Sequence, residues 1–496
     1  MLGTIPRVLV GVLALAAILV SLGAMRANEA GLAITRHQLG PVPVTLYHPA
    51  GAERAPAVVV AHGFAGSQQM MQQFATTLAQ AGFVAATFDF PGHGHNTEPM
   101  AGGITDDRAA SRALLGALDQ VVGFARAHPA ADGQVALVGH SMAADIVLRY
   151  ALANPGIAAT VAISTMAPGV TATEPANLLA LVGAWEPPIL RDEVARIVAL
   201  AAPGTVREGR VVAGVEHIGV IYATKTLAAT RAWLARTFGP TFGRSAEGPI
   251  DARGGWIGLL FLGLVALCWP LAALLPRAAP DAPATPLGWR RVWPVVVVPA
   301  VATPLLLRLV PTNFLPILLG DYLAVHFVVY GALTALALAW RHIPVARPAV
   351  VLRHLLLAAL LVASWQVLAF GLPLEAYVTA FVPMGPRVWL VGAMLLATLP
   401  WFAADELFTR APGAPRWLYA VTKVAFLVSL ALAVALDLRR LFFLIIIIPV
   451  ILILFVVYGL ISRWVFRATG HPLVAAFGNA AALAWAIAVT FPMVAR

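Results

Sequence analysis

Ser141 stands at the centre of Gly139-His140-Ser141-Met142-Ala143, between a short β-branched run at 135–138 and a helical pattern at 142–153. A strand that turns sharply into a helix lifts the residue at its apex clear of the sheet, and small neighbours keep strand and helix close. A hydroxyl presented in this way becomes a nucleophile once a base takes its proton. Two later strand ends carry titratable partners: Glu186 in Gly183-Ala184-Trp185-Glu186 and His217 in Gly214-Val215-Glu216-His217. Gathered by folding, hydroxyl, imidazole and carboxylate would carry out nucleophilic acyl transfer, which calls for neither a metal nor an organic cofactor.

Those residues need a scaffold that brings strand ends together. Short β-branched runs at 42–47, 57–61, 84–90, 135–138, 159–164, 178–182 and 210–213 read as strands. Between them, 68–81, 106–127, 142–153, 191–201 and 226–237 have helical spacing. Regular alternation of this kind predicts a mostly parallel sheet covered by helices on both faces.

The turn around Ser141 resembles the nucleophile elbow G-x-S-x-G of the α/β-hydrolase superfamily, with Ala143 in place of the last glycine. In that superfamily the acid and then the histidine follow the serine at the ends of later strands, the order in which Glu186 and His217 occur. The resemblance implies Ser141 as nucleophile, His217 as general base and Glu186 as the acid that orients the imidazole, with Asp192 an alternative acid. Upstream, Val58-Val59-Val60-Ala61-His62-Gly63-Phe64 resembles the strand and His-Gly turn that supplies one oxyanion-hole amide. The resemblance then makes the Phe64 and Met142 backbone N–H groups the oxyanion donors. Phe88-Asp89-Phe90-Pro91-Gly92-His93-Gly94-His95 matches the turn after the next strand, so the likeness covers about 200 residues in several ordered motifs.

The other histidines have plainer roles open to them. His62, His93, His95 and His140 read as supports for turns, with His62, His140 and Gly63 also candidates to line a cleft. Glu216, beside the expected base, reads as solvated. Residues 165–176 leave little room for a helical lid, so the cleft is expected to be open. Phe64, Met70, Met71, Met142, Met166 and Trp185 would suit an acyl chain, although such side chains are also ordinary packing material.

The chain has 496 residues, 60% hydrophobic and only 11% charged, where a soluble globular protein carries about 25% charged residues. That excludes a wholly soluble enzyme. The net charge of +10 could suggest a nucleic-acid binder, but up to residue 249 there are 16 basic and 16 acidic residues, and beyond it 17 and 7. The excess is strung between long apolar runs, as membrane topology signals are, so no nucleic-acid partner is expected. The single cysteine, Cys268, excludes an internal disulfide.

Residues 1–30 contain an apolar run at 8–25 behind Arg7, read as an uncleaved anchor in preference to a signal peptide. The hydrolase-like domain is placed at 31–241, a linker at 242–253, and a helical transmembrane domain at 254–496. Spans are expected at 256–275, 292–310, 322–340, 352–372, 388–408, 418–436, 441–461 and 472–493, about nine with the anchor. With a cytoplasmic N-terminus, Arg277, Arg290, Arg291, Arg341, Arg347, Arg353, Arg410, Arg416, Arg463 and Arg467 all fall at cytoplasmic ends, and few basic residues, chiefly Arg387, Arg439 and Arg440, lie opposite. The front domain would then be extracytoplasmic, on a bacterial-type inner or plasma membrane.

Asp405-Glu406-Leu407-Phe408-Thr409-Arg410 is similar to the E-E-x-x-x-R motif of the glutamic intramembrane proteases, which include type II CAAX proteases and bacteriocin-processing enzymes. The family's F-x-x-x-H motif has no counterpart here, and Asn479 stands where a histidine is expected. Without those partners Glu406 and Arg410 read as an i, i+4 ion pair on a degenerate scaffold. Arg308, Asp321, His326, His354, Gln366, Lys423 and Asn479 are further polar residues within or beside spans, which would face a bundle interior or a cavity.

Together these features lead to the expectation of a membrane-embedded serine hydrolase that cleaves an ester or thioester of a lipid or other acyl substrate through a Ser-His-Glu triad and an acyl-enzyme. Two alternatives follow from the same residues: a transporter-like or lipid-binding bundle with a sensory or inactive hydrolase domain, and a peptidase, either through Ser141 or inside the membrane through Glu406.

Overall fold

The computed structural model describes residues 4–51, 54–102, 107–167, 169–239, 248–283, 285–345 and 349–495. Asp106, Arg347 and residues 242–247 of the expected linker lie outside these segments. The chain divides into two compact units. One comprises Leu19–Leu260, Pro373–Val382 and Pro492–Arg496, and the other Met1–Ile18, Phe261–Leu372 and Pro383–Phe491.

In chain order the first half contains α1 (Thr4–Ala27), β1 (Leu32–Leu39), β2 (Val42–Pro49), β3 (Ala55–Ala61), a 3-10 turn at Gln68–Met71, α2 (Gln72–Gln80), β4 (Val84–Phe88) and α3 (Asp107–Ala127). It continues with β5 (Ala131–His140), α4 (Met142–Ala153), β6 (Ala159–Ile163), β7 (Asn177–Gly183), α5 (Pro188–Ala199), β8 (Val206–Val212), α6 (Gly219–Tyr222) and α7 (Thr224–Phe238). The eight strands form one sheet in the order β1-β2-β4-β3-β5-β6-β7-β8. β1 and β2 are antiparallel to their neighbours, and the six strands from β4 to β8 run parallel. This is the mostly parallel, helix-covered sheet that the alternation predicts, and it fits the α/β-hydrolase fold that the resemblance implies.

Alternate residues of the central strands enter two different cores, as the two-residue period of a strand requires. Val58, Val60, Ala136, Val138, Val161, Ile163, Leu179 and Leu181 pack with Phe74, Phe83 and Trp233 on one face. Ala162, Leu178, Ala180 and Val182 pack with Ala144, Leu148, Val194 and Ile197 on the other. β1 adds an eighth strand to the seven expected. Its Leu-Ala-Ile-Thr-Arg-His-Gln-Leu sequence is mostly exposed or half-buried, so it has no apolar face to betray it, and it is held by full register with β2, from Leu32 opposite Pro49 to Leu39 opposite Val42.

The second half consists of α8 (Arg253–Ala272), α9 (Trp289–Leu307), α10 (Gly320–Trp340), α11 (Leu352–Ser364), a π-helical stretch at Trp365–Ala369, α12 (Phe370–Tyr377), α13 (Arg387–Thr409), α14 (Leu418–Leu436), α15 (Leu438–Leu441), α16 (Leu444–Thr469) and α17 (Pro472–Thr490). Among the described residues nine helices, counting α1 and taking Leu352–Tyr377 as one, are long and apolar enough to cross a membrane. Within the second unit Phe327, Trp401, Phe402, Phe426 and Phe455 stack as one aromatic core. Several polar groups inside it are paired, as low dielectric favours. Lys423 is bonded to Asp405, Glu406 lies 3.4 Å from Arg410, and Asn479 links Gln366 (3.1 Å) to Ser462 (2.9 Å). Toward helix ends, the Arg308 guanidinium donates to the Leu436 carbonyl, Asp321 accepts the Phe314 N–H, and His354 bonds the Arg277 carbonyl. His326, fully buried, lies 3.2 Å from the Ser429 hydroxyl.

Candidate active site

Strand register assembles the site before any side chain is considered. Ala61 pairs with Gly139, His140 with Ile163, Ile163 with Leu181, and Gly183 with Val212. The turns that follow β3, β5, β6, β7 and β8 therefore sit side by side at the carboxyl edge of the sheet. From β3 the chain moves to β4 on one side and then to β5 on the other, so the edge at β3 and β5 is the crevice where a doubly wound sheet opens for a ligand.

Ser141 occupies a backbone conformation that L-residues rarely adopt, φ 55° and ψ −118°. Its own N–H is tied to the Ile163 carbonyl at 2.8 Å, which holds the turn in place. Gly139 is required beneath it. A Cβ there would come within 2.5 Å of the Ala143 carbonyl oxygen, so strand and helix touch backbone to backbone.

The structure brings Ser141, His217 and Glu186 into one hydrogen-bonded line. The Ser141 Oγ lies 2.9 Å from His217 Nε2, and His217 Nδ1 lies 2.6 Å from Glu186 Oε2. With Glu186 ionised, Nδ1–H donates to the carboxylate, which leaves Nε2 free to accept the serine proton. The carboxylate is buried, and burial by itself would raise its pKa. Hydrogen bonds from His217, from the Ser164 hydroxyl (2.6 Å) and from the Gly183 N–H (2.7 Å) outweigh that and hold it below the ordinary glutamate value. Asp192, the alternative acid, is exposed on α5, and His217 is bonded to Glu186 instead.

Ser164 is a partner of Glu186 that the sequence did not single out. It ends the 159–164 run, one strand from the acid, and register alone could have placed its hydroxyl beside the β7 turn. Its φ of 58° and its N–H bond to the Leu181 carbonyl aim that hydroxyl at Glu186.

His62 and His140 are both buried in the framework of the site. His62 donates from Nδ1 to the Gly63 carbonyl (2.8 Å) and accepts the Phe90 N–H at Nε2 (3.2 Å). His140 donates from Nε2 to the His217 carbonyl at 2.8 Å and packs its ring 4.9 Å from the imidazole of His217. Burial pushes the pKa of His140 down to about 3, so it stays neutral and holds His217 by its backbone.

Gly63 approaches Ser141 so closely that a Cβ would lie 3.1 Å from that of Ser141. The turn is closed by the Gly66 N–H on the Gly63 carbonyl and carries Phe64. Met142 opens α4, where the first-turn N–H groups have no acceptor within the helix. Phe64 and Met142 are half-buried, Met71 is in the core, and Met166 and Trp185 are 44% and 71% exposed. The described residues between β6 and β7 form no helix, so nothing helical covers the edge from that connection.

Comparison with known proteins bears on this half of the chain. A family model described as serine aminopeptidase, S33 (Hydrolase_4) matches residues 52–194, which include Ser141 and Glu186 and stop before His217. A putative dienelactone hydrolase from Klebsiella pneumoniae matches with 19% identity and a TM-score of 0.34, over 41% of this chain and 99% of that one. A hypothetical protein from Pseudomonas aeruginosa matches with 13% identity and a TM-score of 0.34, over 44% of this chain and 94% of that one. No curated protein matches the chain.

Proposed function

The front half of the chain is an α/β-hydrolase domain, and from that premise we propose that this protein is a membrane-embedded serine hydrolase cleaving a carboxylic ester or thioester of a lipid or other acyl compound. The observation that carries the reading is the continuous line from the Ser141 hydroxyl through both nitrogens of His217 to Glu186. Ser141 Oγ attacks the carbonyl carbon as His217 Nε2 takes its proton, and Glu186 stabilises the imidazolium. The tetrahedral oxyanion is met by the Phe64 and Met142 N–H groups, each worth about 3 to 4 kcal/mol. Collapse expels the alcohol or thiol, which receives the proton from His217, and leaves an acyl-Ser141 ester. Water, deprotonated by His217, then attacks that ester and releases the acid.

The exposed Met166 and Trp185 support an apolar acyl group. The distribution of basic residues supports a cytoplasmic N-terminus and an extracytoplasmic hydrolase domain. A fluorophosphonate probe is expected to label the wild type and to leave Ser141→Ala unlabelled; equal labelling of the two would reject the assignment. Hydrolysis across a panel of lipids and p-nitrophenyl esters, again against Ser141→Ala, reads the acyl preference, and protease accessibility in sealed vesicles reads the sidedness.

A second reading rests on the buried Asp405–Lys423 pair and the Gln366–Asn479–Ser462 chain, more polar structure than an anchor needs. It makes the bundle the working part, a transporter-like or lipid-binding scaffold with a sensory hydrolase domain. Transport or lipid binding that survives Ser141→Ala would favour it.

A further inference from the structure

Ser67 ends the turn that carries Phe64, and its side chain is fully buried. Its hydroxyl is engaged by residues more than 300 positions away: it donates to Thr379 Oγ1 at 3.2 Å and accepts the Ala380 N–H at 2.9 Å. Both belong to Pro373–Val382, which is part of the same compact unit as the sheet although apolar helices flank it in sequence.

Glu375 sets the shape of that segment and joins it to the site turns. Its Oε2 accepts the Phe381 N–H (2.6 Å) and the Val382 N–H (2.8 Å), so the segment curls around its own carboxylate. Its Oε1 lies 3.3 Å from Gln69 Nε2 and 3.2 Å from His95 Nε2. Gln72 adds a bond from its amide to the Ala376 carbonyl at 3.0 Å. His95 in turn gives its N–H to Asp89 (2.9 Å), the carboxylate that also receives the Gln68 N–H (2.6 Å). The circuit closes: Asp89 and Glu375 each hold both the turn after β3 and the turn after β4.

The turn holds Ala65 at a positive φ of 55°, a conformation that persists where surrounding contacts help to fix it. Oxyanion donors act only when fixed, and a misplacement of 1 Å costs on the order of 100-fold in rate. We propose that Pro373–Val382 is a brace for the oxyanion turn, with Glu375 and Ser67 as positioning residues for ester cleavage. The proposal rests on the serine hydrolase reading and adds that the site is completed by a segment from the second half of the chain.

The test uses the full-length protein in detergent, with a fluorophosphonate probe and p-nitrophenyl butyrate, and follows thermal unfolding of each variant alongside. Ser67→Ala and Glu375→Ala are expected to slow Ser141 labelling and to lower kcat about tenfold, with KM within threefold of the wild type, because the phosphoryl oxygen and the ester oxyanion need the same donors. Glu375→Gln, which keeps an oxygen for the Phe381 and Val382 N–H groups, should recover most of the rate. Wild-type rates in Ser67→Ala and Glu375→Gln together with wild-type rates in Glu375→Ala would overturn the brace and leave the hydrolase reading standing. A rate loss matched by an equal loss of unfolding transition would also overturn it, as a general folding role. If Glu375→Ala does not fold, Ser67→Ala alone decides. Failure of the wild type to label above Ser141→Ala would remove the hydrolase reading and the brace with it.

Discussion

Glu186 commits both carboxylate oxygens: Oε2 to His217, and Oε1 to the Ser164 hydroxyl and the Gly183 N–H. A Cβ on Gly183 would lie 3.2 Å from Oε1 and 2.6 Å from the Val215 carbonyl, so only glycine lets the acid reach back so tightly. This explains how a glutamate, one methylene longer than the more usual aspartate, fits at the end of β7. Because the folded-state pKa of Glu186 lies below the unfolded value of 4.5, its contribution to stability is complete above that pH and is lost as pH falls through the depressed value. The ionised form also fixes the tautomer of His217 through neutral pH. Glu186→Gln offers an amide of the same shape that can donate to Nδ1 and so stabilise the wrong tautomer. It is expected to lower kcat roughly 10³- to 10⁴-fold while changing KM little, as read from steady-state ester hydrolysis at pH 7. A loss under tenfold would move the acid's role elsewhere.

At the scale of the element, the junction of β5 and α4 decides whether Ser141 is presented at all. Gly139 packs against the backbone of Ala143 and within 2.8 Å of Val147 Cγ2, measured from where its Cβ would be. Gly139→Ala has no flexible side chain to push aside and must shift α4 itself. It is expected to cost about 1 to 3 kcal/mol of stability and to slow fluorophosphonate labelling by more than the unfolded fraction explains. Ala143→Gly should label at nearly the wild-type rate, since alanine already fits that position. The elbow was readable in the sequence because strand, apex and helix are contiguous there, and Glu186 and His217 were readable because each follows its own strand at once. The parallel sheet was legible from alternation alone. What escaped was everything set by distant neighbours: β1, whose exposed residues carry no period; the Ser164 hydroxyl, one strand away from its carboxylate; and Glu375, whose nearest sequence neighbours are apolar. His62 and His140 lie in the turns the sequence indicates, but only coordinates reveal that both ring nitrogens of His62 and Nε2 of His140 are spent on backbone groups.

For the molecule as a whole, the hydrolase unit follows one apolar helix and precedes another, and a buried charge cluster fixes the two connections against each other. Arg253, which opens α8, is fully buried. Its guanidinium meets Asp251 at 2.5 and 2.7 Å, Thr76 at 3.1 Å, Glu29 at 3.6 Å and the Gln72 amide oxygen. Asn28, just beyond α1, donates to the same Asp251 at 2.6 Å. The segment leaving α1, the segment entering α8, and α2 are thus joined by one cation. The two acids beside it make this arrangement asymmetric under mutation. Arg253→Met removes the cation and leaves Asp251, 3% exposed, without compensation, which is expected to cost about 3 to 5 kcal/mol. Asp251→Asn keeps the hydrogen bonds of the carboxylate in part and should cost less. The double variant Arg253→Met, Asp251→Leu removes both charges and should recover much of what the first loses, because an apolar pair of similar volume needs no desolvated ion. Thermal unfolding of the full chain in detergent measures all three. If the double variant is no more stable than Arg253→Met, the cluster acts through its hydrogen bonds to Thr76, Gln72 and Asn28 and not through charge balance.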